Sequence, residues 1–86
     1  MILKEHVINE QKIWQITEGN HVFSLAVDES CAVFHSSLKM TQQQLTTKGL
    51  TVLNMLNENT AVLAKIPTEE WGKILLLLAA KLINQL

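Results

Sequence analysis

The sequence predicts an α+β domain in which a four-stranded antiparallel meander is followed by two helices packed on one face of the sheet. Three observations lead to this prediction. Residues 2–36 are rich in β-branched and aromatic residues and are divided by short polar segments. A helix-capping pattern follows at Thr41. The chain then closes with a long leucine-rich segment of helical periodicity.

The four predicted strands are separated by short segments that favour turns. Gly19 and Asn20, in the second of these segments, tolerate the positive φ angles that tight hairpins need. Each strand is therefore expected to pair with the next in antiparallel fashion. The predicted strands are Ile2–Ile8, Lys12–Thr17, His21–Val27 and Cys31–Ser36.

Alternation in the third strand predicts which side chains the helices cover. It places Phe23, Leu25 and Val27 on one face, and simple pairing across the turns adds Trp14 and Ile16 to them. The same pairing adds Cys31, Val33 and His35 from the fourth strand, so we expect Val33 to be buried against the helices. The opposite face then carries a mildly apolar set: Ile13, Val22, Ala26, Ala32 and Phe34.

The first helix is expected to begin at Thr41 and to end near residues 57–59. Thr41 and Gln44 have the spacing of a capping box, with Thr41 as the N-cap. Apolar residues at helical spacing then line one side: Leu45, Gly49, Val52, Leu53 and Leu56. Residues 60–66 are compatible with a short fifth strand at 61–66 or with a helical turn, because so short an apolar run does not distinguish them.

The second helix is expected to begin at Pro67 and Thr68. A narrow face combines the largest apolar residues: Trp71, Leu75, Leu78, Leu82 and Leu86. Ile74 flanks this face on one side, and Leu76, Ala79 and Ile83 flank it on the other. Leu77 falls within the polar strip. The apolar arc is thus wider than the stripe of about 100° that a surface helix needs.

Composition limits the classes of function. The chain of 86 residues is expected to form a single domain, residues 1–86. Its net charge is −1 and its seven cationic residues are all lysines, which counts against nucleic-acid binding because arginine is preferred there. The single cysteine and the lack of a signal-peptide pattern indicate a cytoplasmic protein. Lys73 and Lys81 interrupt the apolar run, so no membrane span is expected.

Cys31 and His35 are the candidates for chemistry. Residues four apart on a strand are about 13 Å apart, too far to share a metal ion or to form a Cys–His nucleophile pair. We therefore expect no metal, no cofactor and no catalytic residues. One alternative remains open, a small enzyme or ligand carrier with a pocket near Cys31 and His35.

The apolar surface that a single copy leaves uncovered favours a protein-binding module. Such a protein would act by occupying a partner's surface, as inhibitors, antitoxins, immunity proteins and assembly chaperones do, and a homodimer is expected. The predicted partner-binding residues are Leu76, Leu77 and Ile83 on the second helix, and Val22 and Phe34 on the sheet. The alternative from another class is single-stranded nucleic-acid binding, with bases stacked on Trp14, Phe23 and Phe34.

Overall fold

The computed structural model describes residues 1–29, 31–46, 52–66 and 68–86. Within these residues the chain forms six strands, two α-helices and one 3₁₀ turn, which confirms the α+β class. In chain order the elements are β1 Ile2–Ile8, β2 Gln11–Glu18, β3 His21–Val27, β4 Ala32–Ser36, α1 Gln42–Leu45, β5 Val52–Asn57, β6 Thr60–Leu63, the 3₁₀ turn Thr68–Glu70 and α2 Trp71–Ile83.

All the described strands belong to one antiparallel sheet. Its order is β1-β2-β3-β4-β6-β5, so the predicted four-stranded meander is present and is extended by a further hairpin. The turn between β1 and β2 contains two residues with positive φ, Asn9 at 51° and Glu10 at 67°. Two successive positive φ angles are typical of a type I′ turn, whose twist matches that of the strands it joins. Gly19, with a φ of 59°, serves the next turn.

The predicted long helix from Thr41 to residues 57–59 is wrong. Helix α1 ends at Leu45, and residues 52–57 form strand β5 instead. Asn57 Oδ1 accepts a hydrogen bond of 2.8 Å from the Asn59 backbone N–H, which stabilises the turn into β6. Because β6 pairs with β4, β5 becomes an added edge strand. Of the two readings of residues 60–66, the strand is observed, over Thr60–Leu63. Gly49 falls in the segment 47–51, outside the described residues.

The predicted side-chain direction of the fourth strand is wrong by one residue. Leu25 pairs with Phe34, and Phe34 is completely buried on the helix side. Val33 is half-buried on the opposite face, and His35 is exposed there. The cause is the turn before β4. Asp28 donates its backbone N–H to the Cys31 carbonyl at 3.1 Å, and its carboxylate accepts from the Cys31 N–H at 3.0 Å.

These two bonds include Cys31 in the turn, so β4 begins at Ala32 rather than at Cys31. One extra turn residue reverses every side chain that follows, since the side-chain period of a strand is two. Ala32 therefore also lies on the helix side, where it is fully buried.

The core lies between one face of the sheet and helix α2. The helix begins at Trp71, after the 3₁₀ turn, and it packs mainly on β2 and β3. Its predicted buried face is largely confirmed, although Leu86 is exposed because the helix ends at Ile83. The buried side chains of α2 are Ile74, Leu75, Leu78, Ala79 and Leu82. Among the described residues, no helix has the length and apolar character needed to cross a membrane.

Helix α1 is a single turn that packs against α2. Leu45 is completely buried, and Met40, immediately before the cap, is buried in the same core. Lys81 of α2 donates a hydrogen bond to the carbonyl of Thr46, directly after α1. The predicted capping box is confirmed. Thr41 Oγ1 accepts from the Gln44 N–H at 3.3 Å, and Gln44 Oε1 accepts from the Thr41 N–H at 2.7 Å.

We predict that Thr41→Ala lowers the free energy of unfolding by about 1 kcal/mol, because the Gln44 N–H loses its side-chain acceptor and retains only the Thr41 carbonyl. Thr41→Ser retains the hydroxyl and is expected to remain close to the wild type. Urea unfolding of the three proteins at equal concentration measures the difference. Equal midpoints for Thr41→Ala and the wild type would contradict the stabilising role of this cap.

Candidate interaction surfaces

The face of the sheet opposite the helices is covered by no element of the described chain. We call this surface the open face. A row of small and branched apolar side chains crosses it from β2 to β6, because the strand register aligns them: Ile13 with Ala26, Ala26 with Val33, and Val33 with Val62. All of these residues are half-buried by their neighbours. The centre of the open face is therefore an apolar row without a charged side chain.

A polar row runs beside this apolar row. It is formed by the residues two positions along each strand, again aligned by the register: Lys4, Gln15, Ser24, His35 and Thr60. Lysine apart, these side chains carry no formal charge at pH 7 when histidine is neutral. An apolar strip bordered by hydrogen-bonding groups has the composition of a protein–protein interface, where charged residues are depleted from the centre.

Strand β1 forms one edge of the sheet, and every one of its residues is exposed. Its apolar side chains lie on both sides of the sheet. Ile2 and Ile8 are 62% and 54% exposed on the open face, and Val7 is 69% exposed on the helix side. Leu3 on the helix side is also exposed. Sequence reasoning missed this surface, although the apolar residues at both ends of β1 were its signal.

A lysine held by two tryptophans connects β1 and β2 to the start of α2. Lys12 Nζ lies 6.0 Å from the ring centroid of Trp14 and 5.5 Å from that of Trp71. The same ammonium lies 3.1 Å from the Glu5 carboxylate. The backbone of α2 lies close to the Trp14 ring at Gly72, where an added Cβ would be in ordinary van der Waals contact with the ring at 3.5 Å. Trp14 is thus engaged within the fold, between Lys12 and the first turn of α2.

A small cavity of about 150 Å³ lies between the β3–β4 turn and the start of α2. Its lining includes Cys31, Lys65 and Trp71, together with the acidic side chains Asp28 and Glu29. His35 does not line it, because that residue projects from the open face. The structure therefore separates the two predicted candidates for chemistry. Within the described ranges, no three His, Cys, Asp or Glu side chains are grouped so as to hold a metal ion.

The structure separates the predicted partner-binding residues into three environments. Leu76 of α2 is 38% exposed, whereas Leu77 and Ile83 are half-buried, and Ile83 packs against the core. Val22 is half-buried on the open face. Phe34 is completely buried in the core, so its assignment to an exposed sheet surface is wrong. Val33 and Val62, which sequence reasoning did not select, occupy the centre of the open face instead.

We predict that Lys12→Met lowers the free energy of unfolding by about 0.5–1 kcal/mol, the usual range for an exposed cation–π contact. Methionine retains most of the aliphatic stem but removes the charge that contacts Trp14, Trp71 and Glu5. Lys12→Arg retains a cation and is the matched control. Urea unfolding monitored by tryptophan fluorescence compares them, and equal stability of the Met and Arg variants would show that the ammonium contributes nothing.

Comparison with known proteins adds no relative from which a role could be transferred. No protein-family model matches the chain, and neither a curated protein nor a solved structure matches it.

Proposed function

We propose that this protein is a small, non-catalytic, cytoplasmic protein-binding module that acts by occupying a partner protein's surface through its open face. The observation that supports this proposal is the apolar row of Ile13, Ala26, Val33 and Val62 on a sheet face that no described element covers. A sheet face that remains in water usually alternates with charged and polar residues. This one carries its polar residues in a separate row beside the apolar one.

The shape and chemistry of the open face favour a protein as the partner. A small molecule needs a concave site that buries most of its surface, whereas the open face is one side of an extended sheet. A helix or a second sheet packs on such a face at about 10 Å and inserts its own side chains between the rows. Val33 and Val62 would supply the apolar contact, and His35 and Lys4 would supply polar contacts around it.

The energetic scale of such a contact is modest for each residue. Fully burying a valine side chain is worth about 1.5–3 kcal/mol, so a valine that is already half-buried contributes roughly half of that. Four aligned residues therefore supply enough free energy for specific binding only when the partner also satisfies the polar row. This requirement gives the surface its selectivity, because an unmatched polar group loses its hydrogen bonds to water.

The other candidate functions have less support. The residues proposed to stack on bases are engaged elsewhere: Phe23 and Phe34 are completely buried, and Trp14 packs on α2. One observation supports the alternative function as a ligand carrier, namely the cavity beside Cys31. Its volume of about 150 Å³ is half of the roughly 300 Å³ at which ligand pockets usually begin, and His35 is absent from its lining.

We predict that Val33→Lys abolishes capture of the partner, because it places a charge in the centre of the apolar row. The matched control is Leu76→Lys, which introduces the same charge at an exposed apolar residue on the helix side. The tagged wild type and both variants are incubated with lysate of the native host, and bound proteins are quantified by mass spectrometry.

The expected result is a set of proteins that the wild type and Leu76→Lys retain and that Val33→Lys loses. Equal capture by all three proteins would contradict binding through the open face. Loss with Leu76→Lys alone would place the contact on α2 instead. Urea midpoints of the variants establish that each protein remains folded.

A further inference from the structure

Strand β1 is an edge strand, and no other described strand pairs with its outer side, where a row of backbone hydrogen-bonding groups lies. The turn after it closes on the pair Ile8 and Gln11, and the first and last residues of a tight two-residue hairpin turn are hydrogen-bonded to each other. Hydrogen-bonded and non-hydrogen-bonded pairs alternate along an antiparallel ladder. The N–H and C=O groups of Leu3, Glu5 and Val7 therefore point away from β2, toward the open edge.

An edge of this kind is usually made short, twisted away, covered or protected by charged side chains, which β1 carries only near its centre, at Lys4 and Glu5. Strand β1 spans seven residues, and apolar side chains occupy both of its ends on both faces. The contacts of α2 are mainly with β2 and β3, so the helix leaves space above β1 on the helix side except at Leu3, which lies against Gly72 and is 37% exposed. Both the backbone groups and the apolar side chains of this edge are thus available to another strand.

We propose that β1 pairs with β1 of a second copy of this chain, antiparallel, about a twofold axis perpendicular to the sheet at Glu5. Such an axis places two edge strands side by side and keeps both helix layers on the same side. The two sheets then form one continuous sheet, and the interface is isologous, so each copy contributes the same residues.

The register follows from the sequence of β1. With Glu5 on the axis, Leu3 lies opposite Val7 of the second copy and Ile2 lies opposite Ile8, so apolar residues meet on both faces. The three outward-facing residues of each copy exchange hydrogen bonds with those of the other. A shift of two residues in one direction places Leu3 against Glu5. The same shift in the other direction places Val7 against Glu5. Neither alternative aligns the apolar side chains.

The charges of β1 oppose this pairing only at the axis, where Glu5 lies opposite Glu5 of the second copy. Each Glu5 brings its own counter-ion to the axis, because Lys12 Nζ lies 3.1 Å from its carboxylate. On the open face, Lys4 lies opposite His6 of the second copy, where an ammonium donor meets an imidazole nitrogen that can accept. A net charge of −1 per chain produces little long-range repulsion between copies. The pairing also makes the two open faces contiguous. The pairing itself does not rest on the proposed function; only a shared role of the two joined faces in partner binding does.

Cysteine cross-linking tests the register directly. In a Cys31→Ser background, Glu5→Cys places two thiols opposite each other at a hydrogen-bonded pair, where the Cα atoms are about 5.5 Å apart and a disulfide can form. Val7→Cys is the matched control, since position 7 lies opposite position 3 and its own counterpart is about 13 Å away. Under mild oxidation we expect a covalent dimer for Glu5→Cys alone. Cross-linking of Val7→Cys alone, of both variants equally, or of neither, would overturn the proposed register.

Sedimentation equilibrium tests the pairing without cross-links. We expect the wild type to dimerise at micromolar concentration and Val7→Lys to raise the dissociation constant at least tenfold. Glu5→Thr is expected to lower it severalfold, because it removes like charges that lie directly opposite each other. Leu76→Lys is expected to leave it unchanged.

Three results would overturn the proposal: a wild type that remains monomeric at high micromolar concentration, a dimer unaffected by Val7→Lys, or a dimer lost in Leu76→Lys. The last result would place self-association on α2. Failure of this proposal is distinguishable from failure of the proposed function, because Val33→Lys is expected to abolish partner capture while retaining the Glu5→Cys cross-link.

Discussion

The packing of α2 on the sheet is the interaction on which the rest of the structure depends. Its buried leucines, Leu75, Leu78 and Leu82, belong to the same hydrophobic core as the completely buried Phe23 and Phe34 of the sheet. Among the described residues, α2 is the one long helix that contributes to this layer. It covers one face of the sheet, and no element of the described part of the chain covers the open face. The two-layer arrangement thus produces both the core and the candidate binding surface.

The turn at Asp28 determines which side chains of β4 lie on the helix side of the sheet and which lie on the open face. By including Cys31 in the turn, its two hydrogen bonds direct Phe34 into the core and Val33 outward. Without that extra turn residue, Val33 and His35 would lie under α2. The apolar row on the open face is therefore a consequence of local turn chemistry as much as of composition. The two hydrogen bonds between Asp28 and Cys31 thus affect both the composition of the core and that of the candidate interface.

The edge strand β1 is likewise covered only in part by α2. Because α2 lies mainly over β2 and β3, it approaches β1 near Gly72, where a Cβ would lie 3.3 Å from the Leu3 side chain. The cluster of Lys12, Trp14 and Trp71 holds the start of the helix against β2. Strand β1 is consequently held by its hairpin with β2, and both of its faces remain accessible. The open face and this edge are adjacent surfaces of one sheet.

The sequence by itself determined those parts of the fold that depend on neighbouring residues. The first three strands follow from β-branched composition, the cap at Thr41 follows from side chains three residues apart, and the buried face of α2 follows from helical periodicity. The class of function was inferred from the amount of apolar surface. The location of the candidate binding surface could not be inferred, because Val33 and Val62 become neighbours only when β6 pairs with β4.

Tertiary structure decided the remainder. The segment Val52–Asn57 has apolar spacing compatible with a helix, but it forms strand β5. Its backbone groups pair with β6, and β6 in turn pairs with β4. The β5–β6 hairpin replaces the local helical pattern because β6 also pairs with the distant strand β4, and the two pairings satisfy a whole row of backbone hydrogen bonds at once. The direction of Phe34 likewise depended on one hydrogen-bonded turn. Because side chains along a strand alternate between the two faces of the sheet, one additional turn residue moves every following side chain to the opposite face.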